Sequence, residues 1–220
     1  EKNAIICGST QGIGLAIAEE LALLGANCTL IARNEEALQT AVQKLDTQLR
    51  QQHNYLVADF SKPDEVKNVI EKYVEKNTVH ILINNSGGPA AGPIIEATEE
   101  AFLNTFNQHL ICNHILTQAV VPSMKKEGYG RIVNVISTSV KIPLKNLGVS
   151  NTIRGAVASW AKSMANELGQ FNITVNNVLP GFTATQRLST LIDNIAKKGN
   201  TVVDIVEKNM MEEVPMKRFA

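Results

Sequence analysis

The chain has 220 residues, of which 44% are hydrophobic and 19% charged, so it is long enough to bury a sizeable core within one domain. Its 21 basic residues balance 21 acidic ones, and the formal net charge is zero. This balance argues against nucleic acid or an anionic membrane as a partner, because both select for a basic excess.

Six apolar runs rich in β-branched residues are predicted to form strands. They are continuous rather than alternating, which is typical of strands that are covered on both faces. In chain order they comprise residues 4–7, 27–32, 55–58, 79–84, 132–136 and 173–179.

Helical patterns fall between these runs. The first ends at Gly25, a common residue just past a helix end. The second begins after Asn34, which can act as its N-cap. The third has Ser61 as a candidate cap and Pro63 in its first turn. Further helical stretches comprise residues 99–125 and 150–168.

The alternation of strands and helices predicts an α/β protein. Parallel strands joined by right-handed helical crossovers form a doubly wound Rossmann sheet with helices on both faces. No linker, internal repeat or low-complexity segment divides the chain. Residues 1–220 are therefore predicted to form a single domain.

A glycine-rich turn between the first strand and the first helix is the strongest functional signal. Gly8, Gly12 and Gly14 give the spacing G-x-x-x-G-x-G. Such a turn lets backbone approach a pyrophosphate, and the helix that follows presents free N–H groups to it. An empty structural turn is the alternative. The other candidates for cofactor contact in this turn are Ser9, Gln11 and Ile13.

The end of the second strand bears on which dinucleotide is bound. An NAD site usually places an acid there for the ribose 2′-hydroxyl, whereas this chain has Arg33. Arginine can pair with a 2′-phosphate, although Arg33 could also be a solvated surface residue. Glu35 and Glu36 belong to the helix start and are expected to point away. NADP(H) is therefore favoured over NAD(H).

Five motifs together resemble the short-chain dehydrogenase/reductase family, most closely its 3-oxoacyl-acyl-carrier-protein reductase branch. The resemblance runs from residue 4 to about residue 220. The motifs are the glycine turn, Ala-Asp-Phe at 58–60, Asn-Asn-Ser-Gly at 84–87, Gly-Arg-Ile-Val-Asn-Val at 130–135 and Pro-Gly-Phe-Thr-Ala-Thr at 180–185.

The resemblance implies a set of cofactor contacts. Asp59 would meet the adenine ring, and the segment after the fourth strand would pass close to the cofactor ribose. Asn84 is expected to satisfy backbone groups of neighbouring strands. The further cofactor-binding residues implied are Phe60, Asn85, Ser86, Gly87, Pro180, Gly181, Thr183 and Thr185.

The catalytic pattern of the family is only partly kept. Ser137 matches the family's serine, which polarises the substrate oxygen. The positions of the family's tyrosine, lysine and asparagine hold Ser150, Arg154 and His109. Serine is a far weaker acid than a phenol, and arginine can grip ribose hydroxyls but does not deprotonate. His109 could supply or relay a proton near neutral pH.

Three hypotheses are compatible with these residues. The first is a working carbonyl reductase in which Ser137 and Ser150 hold the oxygen and His109 or water supplies the proton. The second is a cofactor-binding pseudoenzyme or sensor, and the third is a different reaction, such as a dehydration, on the same scaffold. Both residues also have a purely structural alternative. His109 would then be a buried helix residue with no catalytic role, and Ser150 would be a helix N-cap.

Other features bear on assembly, compartment and substrate. By analogy with relatives, the two long helices would pair to form a homodimer or homotetramer. The cysteines predict buried, reduced thiols of a cytoplasmic protein, and no metal-ligand spacing is present. Apolar residues within 188–211 could close over a small-molecule carbonyl or alcohol substrate, or could be core. The chain is expected to lack the family's last helix and seventh strand.

Overall fold

The computed structural model describes residues 2–220. The backbone divides into two compact units, residues 2–179 and Pro180–Ala220. Each unit is described by itself.

The first unit is built on a six-stranded parallel sheet in the order β3-β2-β1-β4-β5-β6. All six predicted strands are confirmed, with ends that differ by at most two residues. The strands are β1 (Lys2–Cys7), β2 (Ala26–Ala32), β3 (Asn54–Val57), β4 (Ile81–Asn84), β5 (Gly130–Val135) and β6 (Ile173–Val178).

Six helices connect these strands. Asn34 caps the second as predicted, because its side chain accepts a hydrogen bond from the N–H of Ala37. The third begins at Pro63, but its N-cap is Lys62 rather than the predicted Ser61. The helices are α1 (Gly12–Leu23), α2 (Glu35–Lys44), α3 (Pro63–Val74), α4 (Glu99–Phe106), α5 (Cys112–Glu127) and α6 (Gly148–Leu168).

Helices cover the sheet on both faces, which confirms the doubly wound Rossmann fold. On one face Leu38 and Ala18 pack with apolar residues of β1 and β2. On the other face Ile70, Leu116 and Ala161 pack with alternate residues of the same strands. Because each central strand is buried on both sides, its sequence shows no polar alternation.

The structure differs from the sequence prediction at two helices. The stretch predicted over residues 99–125 contains a π-helical segment, Asn107–Ile111, between α4 and α5. The sixth helix begins at Gly148 with Leu147 as N-cap, so Ser150 lies inside the first turn and is not a cap. Glycine fits at the first position of this helix because it has no side chain. A Cβ at Gly148 would lie within 3 Å of the Cβ and Cα atoms of Ile94.

The second unit contains two helices, α7 (Gln186–Lys198) and α8 (Val203–Glu212). Thr185 caps α7, and Leu188 and Ile192 are among the residues of a small core between the helices. The apolar residues of this segment were predicted either to be core or to close over a substrate. Ile192 is buried in the core, while others are exposed. The exposed ones are Ile195, Val202, Val203 and Ile205.

Candidate active site

The candidate site lies at the carboxyl ends of the parallel strands. The strand order reverses between β1 and β4, which are neighbours in the sheet although they are not consecutive in the chain. Ligands of open α/β sheets bind at such a reversal. The glycine turn follows β1 and the Asn-Asn-Ser-Gly segment follows β4, so both motifs meet there.

The glycine turn is held in place by Asn85. Gly8 and Gly12 have φ angles of +57° and +56°, a region that favours glycine. The Asn85 side-chain Nδ2 donates to the carbonyl oxygens of Cys7 and Gly8 at 3.2 and 3.1 Å. Asn85 was predicted as a cofactor contact. The structure shows that its amide fixes the loop that would receive the cofactor.

The geometry of the turn fits a phosphate group. Gln11, the N-cap of α1, makes no side-chain cap hydrogen bond, and the first turn of α1 holds no acid. The N–H groups there are therefore open to an anion. The hydroxyl of Ser9 is fully buried and has no hydrogen-bond partner within the protein. A dinucleotide phosphate would satisfy these groups, so the residues present fit NAD(P).

The ends of β2 and β3 form the side of the site predicted for the adenosine. Arg33 is exposed, and Glu35 accepts a hydrogen bond from the Tyr55 hydroxyl at 3.1 Å. The Asp59 carboxylate accepts the backbone N–H of Ser61 at 2.9 Å. That hydrogen bond, followed by weaker attraction to Arg33 and Lys62, lowers the pKa of Asp59.

Phe60 differs from its predicted role in one respect. Its side chain is buried and belongs to the core under α3 and α5. Its carbonyl oxygen accepts a hydrogen bond from Cys112 Sγ at 3.3 Å. The ring is therefore committed to packing, and its predicted cofactor contact could involve only backbone atoms.

His109 lies in the π-helical segment and faces the loop after β4. Its side chain is 3% exposed, and its Nδ1 lies 2.8 Å from Ser86 Oγ. The neighbouring Gln108 donates through Nε2 to the carbonyl oxygen of Gly87 at 3.1 Å. Two consecutive residues of the π-helical segment are thus bonded to two consecutive residues of the loop.

The other three catalytic candidates lie around the start of α6. Ser137 follows β5, and its hydroxyl accepts the N–H of Ser139 at 3.1 Å. Arg154 donates from Nη1 to the carbonyl oxygen of Val135 at 2.9 Å, and Ser150 lies one helical turn earlier. Helix α6 contacts both the π-helical segment and the short turn after Ser137. The fold therefore gathers all four candidates in one region.

A ladder of three asparagines crosses the strands beneath the site. Asn84 Nδ2 donates to Asn134 Oδ1 at 2.9 Å, and Asn134 Nδ2 donates to Asn177 Oδ1 at 3.0 Å. These residues are in register on β4, β5 and β6. The expectation that the Asn84 amide serves backbone groups is corrected, since it donates to a neighbouring side chain. The sequence feature that could have indicated this ladder is an asparagine near the end of each of the three strands.

No tyrosine of the described residues replaces the missing phenol near Ser137. The hydroxyls of Tyr73 and Thr29 lie 2.7 Å apart. Tyr55 is engaged with Glu35. The ring of Tyr129 contacts Lys2 Nζ at 4.0 Å, at the amino end of the sheet. Each lies on an element away from the start of α6.

The cysteines are free and buried, as predicted. Burial raises the pKa of Cys28 and of Cys112 to about 12, and it raises that of Cys7 as well. Such thiols are unreactive. Residues 2–220 contain no cluster of histidine, cysteine or acid side chains that could hold a metal ion. Over the same residues, no helix is long and apolar enough to span a membrane.

In the second unit, Thr185 is engaged with its own chain. Its hydroxyl accepts the N–H of Leu188 at 3.4 Å and donates to the carbonyl oxygen of Thr183 at 3.2 Å. The backbone of Phe182 and Ala184 is hydrogen-bonded to Ala220. The roles predicted for the cofactor residues of this unit stay predictions. These residues are Pro180, Gly181, Thr183 and Thr185.

The fold and the phosphate-binding turn define a dinucleotide-binding α/β protein, and comparisons with known proteins specify its family. The family described as short chain dehydrogenase matches residues 2–196. The 3-oxoacyl-(acyl-carrier-protein) reductase of Chlamydia trachomatis is 30% identical over 217 residues, which cover 97% of this chain and 86% of that protein.

Solved structures agree with this assignment. L-sorbose reductase from Gluconobacter frateurii, complexed with NADPH and L-sorbose, is 30% identical with a TM-score of 0.92, covering 100% of this chain and 84% of that one. YwfH, an NADPH-dependent reductase involved in bacilysin biosynthesis, is 26% identical with a TM-score of 0.92, covering 100% and 86%. The chain belongs to the short-chain dehydrogenase/reductase family and is an oxidoreductase of that family.

Proposed function

We propose that the protein is an NADP(H)-dependent reductase of a small-molecule carbonyl compound, with the corresponding alcohol as product. One observation carries the proposal. A phosphate-binding turn fixed by Asn85 lies at the same sheet edge as Ser137 and as the hydrogen-bonded pair of Ser86 and His109. The turn would anchor the cofactor, and the polar side chains would receive the carbonyl oxygen.

In this proposal the cofactor, when bound, supplies the hydride for the carbonyl carbon. Ser137 and Ser150 hold the carbonyl oxygen through their hydroxyls and stabilise the negative charge that develops there. Arg154 grips the ribose and keeps its charge at any working pH, because a guanidinium does not deprotonate. The proton for the oxygen comes from the His109 side of the site or from water.

The preference for NADP(H) rests on the end of β2. Arg33 is exposed there, and its charge contributes to the lowered pKa of Asp59. The nearby acid Glu35 accepts a hydrogen bond from the Tyr55 hydroxyl. A 2′-phosphate would find a cation in place of the usual acid.

Replacing Arg33 by glutamate should reverse this preference. We expect NADPH binding to weaken by at least about tenfold, because a charge-assisted phosphate contact is worth about 1.5–3 kcal/mol. NADH binding should be unchanged or tighter. Fluorescence titration of both cofactors measures the effect, and Arg50→Glu, in the loop before β3, is the charge-matched control. Equal loss of both cofactors would contradict the role of Arg33.

The substrate class is suggested by relatives and by the second unit. The Chlamydia relative is named as a reductase of 3-oxoacyl groups on a carrier protein, and the Gluconobacter structure holds a sugar. The second unit has four exposed apolar side chains in α7, in α8 and just before α8, including Val202 and Ile205. Apolar side chains suit an acyl chain better than a sugar, and with the Chlamydia relative as the model we propose a 3-oxoacyl thioester as the substrate.

The test begins with titration of the purified protein by NADPH and NADH, followed by turnover of 3-oxoacyl thioesters, diketones and ketoses. Tight NADPH binding with turnover, reduced in Ser137→Ala, is the expected result. Binding without turnover on any of these substrates would favour a cofactor sensor. Failure to bind either cofactor would overturn the proposal.

Compartment and assembly are proposed by analogy with the family. The three buried free thiols suit a reducing compartment, and we propose the cytoplasm. We also propose a homodimer or homotetramer in which α5 and α6 pair with their counterparts, as the family resemblance implies. A two-fold interface of this kind requires self-complementary helix faces.

A further inference from the structure

Two departures from the family pattern face each other in this structure. The family motif that residues 84–87 resemble is Asn-Asn-Ala-Gly, with alanine at the position of Ser86, and the resemblance places the family's asparagine at the position of His109. The two side chains are 23 positions apart in sequence, yet Ser86 Oγ lies 2.8 Å from His109 Nδ1. A close contact between two polar side chains that are so far apart in sequence indicates a joint role.

The two members of the pair differ in exposure. The imidazole of His109 is 3% exposed, whereas Ser86 is only half-buried, in the loop where β4 ends. A proton that passes between Nδ1 and the open edge of the sheet therefore goes through the Ser86 hydroxyl. A hydroxyl both accepts and donates a hydrogen bond, so it can perform such a transfer.

The surroundings fix the geometry of this contact. The hydrogen bond from Gln108 to the Gly87 carbonyl oxygen, at 3.1 Å, ties the adjacent residues together. His109 itself lies in a π-helical segment, a local irregularity that is often found at functional sites. The imidazole is thus held toward Ser86 by its backbone as well as by its own hydrogen bond.

We propose that Ser86 and His109 form a proton-relay pair that takes the place of the family's phenol; this inference rests on the proposed function. During reduction the carbonyl carbon gains the hydride of NADPH, and the carbonyl oxygen takes the Ser86 hydroxyl proton. Ser86 Oγ in turn takes the Nδ1 proton of the imidazolium. The imidazole is left neutral until it is protonated again. Between turnovers the pair regains one proton from solvent through Ser86.

Ser150 supports the need for such a relay. It stands at the position of the family's proton donor, but its hydroxyl is a far weaker acid than a phenol. General acid catalysis is typically worth about 10²- to 10⁴-fold. A reductase of this family that lacks the phenol keeps that factor only if another group delivers the proton.

Four variants test the relay. Ser86→Ala and His109→Asn each restore the family's residue and remove one member, and the double variant removes both. Ser86→Thr keeps the hydroxyl. Thr40→Ala removes an exposed hydroxyl that bonds the Glu36 carbonyl oxygen in α2, and is the matched control. For each protein, kcat, its solvent deuterium isotope effect, the NADPH Kd and the imidazole ¹⁵N spectrum are measured.

We expect kcat, measured at saturating NADPH so that cofactor affinity does not enter the comparison, to fall about a hundredfold in each single variant. The double variant should be no slower than either single variant, because the pair acts as a unit. Ser86→Thr should restore most of the rate. In the cofactor-free protein, Ser86→Ala should shift the His109 Nδ1 resonance and Thr40→Ala should not.

Other outcomes separate the two proposals. If the wild type reduces a substrate and Ser86→Ala matches its kcat and isotope effect, the relay is wrong and the reductase stands. If losses in the single variants multiply in the double variant, the residues act separately and the relay is likewise wrong. If the wild type binds NADPH but reduces no substrate in the panel, the proposed function and the relay fall together.

Discussion

Replacing Gly14 by alanine is expected to destabilise the protein by about 1–3 kcal/mol and to weaken NADPH binding about thirtyfold. A Cβ at Gly14 would overlap the carbonyl oxygen of Gly8 and lie 2.7 Å from Nδ2 of Asn85. The Gly8 contact is with backbone and the Asn85 amide is held by its two hydrogen bonds, so neither can yield cheaply. The turn must therefore shift, and the phosphate site moves with it.

The direction of the stability change distinguishes a steric clash from ordinary helix propensity. Alanine in a helix is normally more stable than glycine by about 0.5–1 kcal/mol. Gly155, inside α6, is the matched control because a Cβ there would meet no atom within 4 Å. Urea unfolding should show Gly155→Ala to be stabilising and Gly14→Ala to be destabilising. If both variants gained stability and kept the NADPH Kd, the close approach of Gly14 to Gly8 would have no energetic importance.

The sheet was predictable because short, continuous, β-branched apolar runs are typical of strands that are covered on both faces. The ends were less certain for local reasons. Strand β5 begins at Gly130, a residue that weakens a strand pattern, yet a Cβ there would lie 3.0 Å from the Ile173 side chain on the neighbouring strand. The same Cβ would lie 2.6 Å from Met124 Sδ on α5. Close packing against the helix and the neighbouring strand selects glycine at this point, and composition alone cannot show it.

The site was predictable as a set of positions but not as a set of contacts. Motif spacing placed Ser137, Arg154 and His109 at the sheet edge, and the structure brings their elements together. The contact between His109 and Ser86 depends on the π-helical segment, whose wider turn changes the direction of each side chain relative to an α-helix. No sequence pattern identified that segment.

The structural role of Asn85 was missed for a related reason. The residue belongs to a motif associated with the cofactor, so a contact with the cofactor was the natural prediction. Its actual partners, the carbonyl oxygens of Cys7 and Gly8, are 78 and 77 positions away in sequence. Only the parallel pairing of β1 with β4 brings them within reach.

Replacing Asn134 by alanine is expected to lower the free energy of unfolding by about 2–3 kcal/mol, because it leaves a fully buried amide without its partner. Asn134 is fully buried and is the middle member of the asparagine ladder. Its removal leaves Asn84 Nδ2 without an acceptor and Asn177 Oδ1 without a donor. A buried polar group without a partner costs about 1–3 kcal/mol. Asn84 Oδ1 already has no partner in the protein, so the variant would leave the whole Asn84 amide unpaired.

Two neighbouring asparagines that are more exposed than Asn134 provide controls with smaller expected losses of stability. Asn177→Ala should lower the free energy of unfolding by only about 1 kcal/mol. Asn177 is half-buried, so water can take the place of the acceptor that Asn134 Nδ2 loses. Asn176→Ala, on the exposed face of β6, should change stability by less than about 0.5 kcal/mol. Urea unfolding of the cofactor-free proteins measures all three. Equal losses at Asn134 and Asn176 would show that the ladder is not what stabilises these strand ends, and that β-propensity alone sets the cost of an alanine there.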